Sequence, residues 1–248
     1  MTFADILQPS SALFLDFDGT MVDIAPQPHA VQVPQPLIAW LRWSHDYLGG
    51  AVAVISGRQI EQIDDFLSPL RLPVAGVHGA ERRRTDGELV LLTTHPLEPV
   101  EQAAARLAAE HPGLLVENKG SSVALHYRQA PHLEALCIDA MQAAVESMPG
   151  LTLLRGKMVV EAKPGGASKG RAIEAFMQEP PFAGRLPIFI GDDVTDEVGF
   201  STVQDAGGIG IKIGDGPSVA WRRLADPAAL RQEFEAAHAA KTAKASPT

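Results

Sequence analysis

Two carboxylates stand at the end of an apolar stretch near the start of this 248-residue chain. The segment ALFLDFDGT, residues 12–20, predicts a buried strand that runs into Asp16 and Asp18, with Gly19 directly after them. A carboxylate at the edge of a core is costly unless a cation or a hydrogen-bond network compensates it. A glycine beside the pair lets the backbone turn away sharply. The stretch therefore predicts a built site in which something lies against both carboxylates.

Three further polar groups follow predicted strands or begin a predicted helix. Ser56 and Arg58 come after the apolar stretch AVAVI, and Lys169 begins the helix predicted for KGRAIEAF. The late stretch LPIFI runs into an acidic loop, GDDVTDE, whose aspartates are Asp192, Asp193 and Asp196. Each group alone is common in turns and loops. Because ligands bind beyond the carboxyl ends of the strands in an open α/β sheet, the groups together predict one site.

The residue types in this set predict phosphoryl transfer. Carboxylates from two strand ends can hold Mg²⁺, a hard ion that prefers a few carboxylates, waters and a substrate phosphate. One carboxylate can attack phosphorus to form an aspartyl-phosphate, and a second can protonate the leaving alkoxide and then deprotonate the attacking water. Ser56 and Lys169 can bind the phosphoryl oxygens, helped by the helix N-terminus near Lys169.

The elements that must position these groups alternate between strand and helix in the first third of the chain and again near its end. Near-continuous apolar strands separated by helices predict a parallel sheet covered by helices. The middle begins with a hairpin turning at Asp86-Gly87 and continues in the order helix, two strands, helix, two strands. The fold class predicted is α/β, with a Rossmann-like parallel-sheet core in 1–86 and 166–248 and an inserted α+β cap in 87–165.

Two predicted cap strands offer polar pairs on one face. In VALHYR, His126 and Arg128 alternate with apolar residues, and in VVEAKP Glu161 and Lys163 do the same. Such pairs either form the solvated face of a half-exposed sheet or bind a hydroxyl-rich phosphorylated ligand. Lys119, just before the first of these strands, is a further candidate.

The motifs DFDGT, ISGR, ASKG and GDDVTDE, in this order, resemble the four motifs of the haloacid dehalogenase superfamily of phosphatases. With GVHGAE, ALHYR and VVEAKP as well, the chain is similar to the trehalose-6-phosphate phosphatase family over nearly its whole length. The resemblance implies a Mg²⁺-dependent phosphatase of trehalose biosynthesis that hydrolyses trehalose 6-phosphate to trehalose and phosphate. It also implies that the cap closes over the disaccharide.

The resemblance assigns roles to the motif residues. It implies Asp16 as nucleophile and Asp18 as general acid and base. The implied Mg²⁺ ligands are the Asp16 carboxylate, the Asp18 backbone carbonyl and the Asp192 carboxylate. Asp193 and Asp196 are expected just behind these ligands, although the loop leaves open which aspartate binds the ion directly. The expected phosphate-binding residues are Thr20, Ser56 and Lys169.

The substrate-side residues follow from the resemblance and from the cap strands together. His78 and Glu81 of GVHGAE and Arg58 are expected near the sugar phosphate, although the spacing of His78 equally suits a structural histidine. The full expected set is Arg58, His78, Glu81, Lys119, His126, Arg128, Glu161 and Lys163. The core motifs alone leave other functions open: a phosphatase for sucrose, glucosylglycerol or mannosylglycerate phosphate, a mutase, or an inactive sugar-phosphate sensor.

Composition narrows the partners of the chain. The formal net charge is −9 and no Lys/Arg block is present, so neither nucleic acid nor an anionic membrane is an expected partner. Cys137 is the single cysteine, which excludes an intrachain disulfide and suits a reducing compartment. We expect a cytoplasmic monomer that takes a small-molecule sugar phosphate. The Ala- and Lys-rich tail from residue 236 is expected to fray.

Overall fold

The computed structural model describes residues 2–92 and 96–245. Within them it contains eight α-helices and two sheets, one of eight strands and one of four. The strands are β1 (Ser11–Leu15), β2 (Val52–Ile55), β3 (Val74–Gly76), β4 (Glu81–Arg83), β5 (Leu89–Leu91), β6 (Leu115–Asn118), β7 (Val123–His126), β8 (Leu151–Gly156), β9 (Val159–Pro164), β10 (Leu186–Gly191), β11 (Ile209–Ile213) and β12 (Arg222–Leu224). The helices are α1 (Phe3–Ile6), α2 (Gln35–Tyr47), α3 (Ile60–Leu67), α4 (Glu98–Glu110), α5 (Glu134–Glu146), α6 (Lys169–Met177), α7 (Glu197–Asp205) and α8 (Pro227–Ala245).

The larger sheet has the strand order β12-β11-β10-β1-β2-β3-β4-β5. The strands from β12 to β3 are parallel, and β4 and β5 complete the sheet in antiparallel orientation. Leu13 of β1 pairs with Ile188 on one side and Val52 on the other. The carboxyl ends of β10, β1 and β2 therefore lie side by side. The predicted α/β fold with a Rossmann-like parallel core is confirmed.

Continuous apolar sequence accounts for the parallel core. Every residue of β1 and β2 is buried, as expected of strands covered by helices. The ring centroid of Phe14 in β1 lies 6.1 Å from that of Phe176 in α6 and 5.3 Å from that of Phe182. Leu41 of α2 and Ile63 of α3 belong to the same buried cluster. This packing fixes the end of β1 and thus the polar residues that follow it.

The smaller sheet is antiparallel, with the order β6-β7-β9-β8, and together with α4 and α5 it forms the unit that we call the cap (residues 98–164). Val123 and Leu125 of β7 pack with Met141 of α5 and Val100 of α4 in a hydrophobic cluster of their own. The alternation predicted for VALHYR and VVEAKP is present: the apolar residues face the helices and the polar ones face away.

The predicted hairpin exists, but it belongs to the core. Gly87 has φ +89° in the turn, and β4 and β5 pair through Arg82 and Val90. Because β5 is the last strand of the eight-stranded sheet, residues 87–92, which the sequence assigned to the cap, belong to the core sheet and its edge. The three residues 93–95 lie outside the described residues.

The C-terminal tail continues a helix. Helix α8 extends to Ala245 and buries Phe234 and Ala237, while residues 246–248 lie outside the described residues; the expectation that the tail frays stays a prediction. Phe3 of α1 meets Phe234 edge to face, with centroids 5.3 Å apart. In residues 2–92 and 96–245, no helix combines the length and the hydropathy that crossing a membrane requires.

Candidate active site

Three neighbouring strands deliver polar side chains to the same edge of the larger sheet. Asp16 follows β1, Ser56 follows β2 and Asp192 follows β10, and all three line one cleft of about 590 Å³ between core and cap. Most of the predicted site residues line this cleft: Asp16, Asp18, Ser56, Arg58, His78, Lys119, His126, Arg128, Glu161, Lys169, Asp192 and Asp193. Thr20 and Asp196 are fully buried and hydrogen-bond to residues of the lining.

Asp16 is held between a lysine and a threonine. Lys169 places Nζ 2.7 Å from Asp16 Oδ1, and the Thr20 hydroxyl donates to Asp16 Oδ2 at 3.1 Å. Helix α6 begins at Lys169 because Ser168 caps it, its Oγ accepting from the N–H of Arg171. The buried ammonium group supplies part of the compensation that the sequence predicts for this carboxylate.

Asp196 organises the acidic loop from within. Its Oδ1 accepts from Lys169 Nζ at 2.7 Å, and its Oδ2 accepts from the backbone N–H groups of Asp192 and Asp193 at 3.0 and 2.9 Å. Lys212 of β11 donates to the backbone carbonyl of Asp192. The peptide between Asp192 and Asp193 is thus held at both its C=O and its N–H.

The Asp192 carboxylate points back toward the loop after β1. Gly19 has φ +76°, and a Cβ at this position would lie 2.2 Å from Asp192 Oδ2. Glycine is therefore required both by the backbone conformation and by the close approach of this carboxylate. Asp16, Asp192 and Asp196 each offer an oxygen, and these oxygens all lie within 4.8 Å of one another.

The charges in this cluster fit a hard divalent cation. Burial raises the pKa of Asp16 well above its usual range, against the attraction of Lys169 and with the added repulsion of Asp196. Burial and the Asp196 charge raise the pKa of Asp192 to about 6. Asp196 is fully buried behind the cleft lining and its two oxygens accept three hydrogen bonds, whereas Asp16 and Asp192 line the cleft, so Asp16 and Asp192 are the carboxylates suited to binding an ion.

Asp18 is paired with an arginine from the next strand end. Arg58 Nε and Nη2 donate to the two Asp18 carboxylate oxygens at 2.6 and 2.7 Å. The backbone N–H of Arg58 donates to Ser56 Oγ at 3.1 Å. Arg58, which the resemblance places near the sugar phosphate, is here bound to the second carboxylate of the DFDGT motif.

Glu161 of β9 is the centre of the cap side. Lys119 Nζ lies 2.8 Å from its Oε2, and the Ser122 hydroxyl donates to its Oε1 at 2.7 Å. Lys119 also donates to the backbone carbonyl of Gly57 at 3.0 Å, which ties the cap to the loop after β2. Although burial opposes it, Lys119 and His78 hold the pKa of Glu161 well below its usual range, so this carboxylate is ionised.

His78 meets the cap from the core. Its Nε2 lies 3.6 Å from Glu161 Oε2, and its backbone is left-handed, with φ +54°. A Cβ on Gly57 would lie 2.7 Å from the imidazole ring, so a glycine is needed there. Burial lowers the pKa of His78, which keeps the ring neutral near pH 7. Its buried Nδ1 has no hydrogen-bond partner among the described residues.

The other polar pair of the cap also reaches the cleft. His126 Nε2 lies 2.9 Å from Glu117 Oε2, and Arg128 Nη1 donates to the backbone carbonyl of Ala25 at 2.5 Å. The second contact joins the cap to the core loop that follows the DFDGT motif. Cap and core thus meet on two sides of the cleft.

Two predicted substrate residues take structural places instead. Glu81 turns toward α3, where its Oε1 accepts from the otherwise unpaired N–H of Ile60 at 2.6 Å. Lys163 lies near the end of β9 and donates to the backbone carbonyl of Ala167, in the connection to α6. Within the described chain neither residue lines the cleft, so the geometry does not support their assignment to the substrate side, which stays a prediction.

Two further residues of the site escaped sequence reasoning. Glu117 of β6 lines the cleft beside His126, and the signal available was its position two residues before Lys119 on the same strand face. Lys212 supports Asp192 from β11, and the signal was a lysine inside the apolar strand IGIKI. A buried lysine requires an acceptor, which only the fold identifies.

Carboxylates, a lysine and an acidic loop meet at one edge of a parallel sheet beneath an inserted cap. Solved structures share the fold. The C-terminal domain of Candida albicans trehalose-6-phosphate phosphatase superposes with a TM-score of 0.86 at 19% identity, covering 96% of this chain and 95% of that one. A phosphatase of the haloalkanoate (HAD) enzyme superfamily from Bacteroides thetaiotaomicron gives 0.63 at 17% identity, covering 94% and 96%.

Sequence comparison identifies the family to which the chain belongs. The family model for trehalose-phosphatase matches residues 14–231. The trehalose-6-phosphate phosphatase of Escherichia coli (strain K12) is 44% identical over 221 residues, which cover 88% of this chain and 83% of that protein. The chain belongs to the trehalose-phosphatase family, and it is a phosphoric monoester hydrolase.

Proposed function

We propose that this protein hydrolyses trehalose 6-phosphate to trehalose and phosphate in trehalose biosynthesis, with Mg²⁺ as cofactor and an aspartyl-phosphate intermediate. The observation that carries the proposal is the meeting of Asp16, Asp18 and Lys169 at the floor of a cleft whose opposite wall is the polar face of the cap. The membership of the family supports the substrate.

In the first step, a carboxylate oxygen of Asp16 forms a bond to phosphorus while the bond from phosphorus to the sugar oxygen breaks. Asp18, two residues further on, gives its proton to that oxygen, so the sugar leaves as a neutral alcohol. Lys169 lies 2.7 Å from Asp16 Oδ1 and neutralises the phosphoryl oxygens as they gather charge. The Ser56 side chain reaches the same space from the end of β2.

In the second step, the Asp18 carboxylate takes a proton from water, and the water oxygen bonds to phosphorus. The bond between phosphorus and Asp16 then breaks, which releases inorganic phosphate and restores the Asp16 carboxylate, while Asp18 is left protonated for the next cycle. One residue thus acts as acid and then as base.

The carboxylates of Asp16 and Asp192 and the backbone carbonyl of Asp18 are the groups that would hold Mg²⁺. When bound, the ion would neutralise charge on the phosphoryl group and compensate these buried carboxylates. Asp196, Lys212 and Gly19 keep the Asp192 carboxylate where it can serve.

The cap is proposed to select the sugar. Glu161, Lys119, His126 and Glu117 offer acceptors and donors toward the cleft, which suits a hydroxyl-rich disaccharide. A wrong sugar would leave some of these buried groups unpaired, and this penalty gives selectivity. Covering the cleft also keeps bulk water from the aspartyl-phosphate.

Phosphate release by the purified protein tests the proposal. Trehalose 6-phosphate, sucrose 6-phosphate, glucose 6-phosphate and an aryl phosphate would be compared with Mg²⁺ and with a chelator, and Asp16→Asn serves as the control variant. We expect a strong preference for trehalose 6-phosphate that requires Mg²⁺ and is lost in Asp16→Asn. A preference for another sugar phosphate would overturn the substrate, and activity in the chelator would overturn the metal requirement.

A further inference from the structure

The side chain of Arg58 is built into the floor of the cleft. Its guanidinium carbon lies 4.9 Å from the ring centroid of Phe66 in α3 and 5.7 Å from that of Phe17. The two rings lie against each other with centroids 5.5 Å apart. Cation–π attraction of this kind orients a guanidinium more firmly when it is shielded from water, and only 10% of the Arg58 side chain is exposed.

From this platform Arg58 grips both oxygens of Asp18. The contacts from Nε at 2.6 Å and from Nη2 at 2.7 Å form the two-pronged geometry that only arginine offers to a carboxylate. Asp18 itself is 36% exposed and faces the cleft. Its orientation therefore depends on a partner, because a half-exposed aspartate otherwise samples several rotamers.

We propose that Arg58 is a positioning residue: it holds both Asp18 oxygens from one side, so that the proton exchanged with the leaving oxygen is carried on the side of the carboxyl group that is turned away from the guanidinium, toward the cleft. The inference rests on the proposed function, since it assumes that Asp18 is the acid. Proton transfer needs the donor within hydrogen-bond reach of the leaving oxygen. Phe17 and Phe66 then contribute to catalysis indirectly, because they orient the Arg58 side chain.

The proposal separates Arg58 from a residue that simply binds substrate. A residue acting through Asp18 matters most when the leaving oxygen needs a proton, as an alkoxide or a weakly acidic phenoxide does. It matters little when the leaving group is a strongly acidic phenol. A residue that binds phosphate or sugar would affect good and poor leaving groups alike.

The test is kcat/KM for a series of aryl phosphates whose phenols differ in acidity, because this constant reports the steps up to formation of the aspartyl-phosphate. Wild type, Arg58→Met, Asp18→Asn and the double variant would be compared. We expect Arg58→Met to lose at least about tenfold more on the poorest leaving group than on the best. In the Asp18→Asn background, Arg58→Met should change kcat/KM by less than about twofold at every leaving group, since coupled residues are not additive.

Equal losses across the series, or losses that multiply in the double variant, would overturn the proposal. Arg58→Lys guards against misfolding, because it keeps a cation over Phe66 but cannot form both bonds to Asp18. It should show the same dependence on leaving group with an unchanged thermal unfolding temperature, and a flat dependence would overturn the proposal. The aryl series makes no use of sugar recognition, so a failure of trehalose 6-phosphate as substrate would be seen separately.

Discussion

The ammonium group of Lys169 lies 2.7 Å from Asp196 Oδ1, so the lysine that compensates the proposed nucleophile is itself tied to the acidic loop. Since Asp196 also accepts the N–H groups of Asp192 and Asp193, one fully buried carboxylate connects α6 to the end of β10. Nucleophile, phosphate-neutralising lysine and proposed metal ligand are thus positioned by a common set of hydrogen bonds.

Lys169→Met should destabilise the protein as well as inactivate it. Burial alone would lower the pKa of Lys169, but Asp16 and Asp196 raise it well above its usual range, so the group is charged and its loss leaves buried carboxylates uncompensated. We expect the free energy of unfolding to fall by about 3 kcal/mol, as measured by denaturant titration. Arg106→Met, which removes an exposed cation from α4, should change it by less than ~0.5 kcal/mol. Equal effects of the two variants would contradict this account.

Stability without metal should fall as the pH rises through the range where Asp192 ionises. The pKa of Asp192 is raised from 3.8 to about 6, so between these values the folded state binds more protons than the unfolded state. The raised pKa therefore stabilises the folded state below pH 3.8, and this stabilisation is lost as the pH rises toward about 6. Asp192→Asn should reduce this dependence without removing it, because the pKa of Asp16 is raised as well, and added Mg²⁺ should counter the loss in wild type only. Thermal unfolding in chelator from about pH 4 to pH 7 measures it.

The exposed Asp139 of α5 offers the matched control for that series. Asp139→Asn should leave the pH dependence of wild type unchanged. If Asp192→Asn shows the same slope as Asp139→Asn, the charge cluster does not govern stability in this range.

Gly19→Ala should abolish phosphate release, because the added methyl group would displace the Asp192 carboxylate. The new Cβ would lie 2.2 Å from Asp192 Oδ2, so the proposed metal ligand must move. Gly184→Ala is the control, because Gly184 has nearly the same backbone angle, φ +75° against +76°, and its Cβ would meet no described heavy atom within 4 Å. Both variants share a backbone penalty of about 1–2 kcal/mol, but only Gly19→Ala should lose Mg²⁺-induced stabilisation. A similar loss in both would show that backbone strain alone is responsible.

Glu161→Gln should damage recognition of the sugar more than the chemistry. The variant keeps the shape of the side chain but removes the charge that Lys119 and His78 face. We expect KM for trehalose 6-phosphate to rise at least about tenfold, while kcat/KM for an aryl phosphate changes less than about threefold. Steady-state kinetics with both substrates measures this, and Glu110→Gln on the exposed end of α4 is the control. Parallel losses on both substrates would place Glu161 in the chemistry instead.

The positions at which the core strands end could be predicted from local sequence. Each of β1, β2 and β10 is an apolar run that stops at a polar residue, and parallel strands bring such ends to one edge whatever the rest of the chain does. The faces of β7 and β9 were equally predictable, because alternation has a fixed period.

Partners over long distances were not predictable. Arg58 follows β2, yet its direction is set by Phe66 in α3 and Phe17 after β1, which no local pattern connects. Glu81 meets α3 and Lys163 meets the connection to α6 for the same reason: a side chain at the end of a strand follows its nearest unsatisfied backbone group. The sequence of the β4-β5 hairpin suits the core and the cap equally, and only the pairing of β4 with β3 assigns the hairpin to the core.

The return path of the chain from the cap has a consequence for exchanging caps between relatives. Residues 164–168 lead from β9 directly to Lys169, and Lys163 braces this path through the carbonyl of Ala167. A chimaera that takes residues 164–168 from the cap donor would therefore alter the phosphate site around Lys169 as well as the sugar specificity. The donor cap should be joined before Lys163, so that the recipient keeps its own Lys163, residues 164–168 and the start of α6.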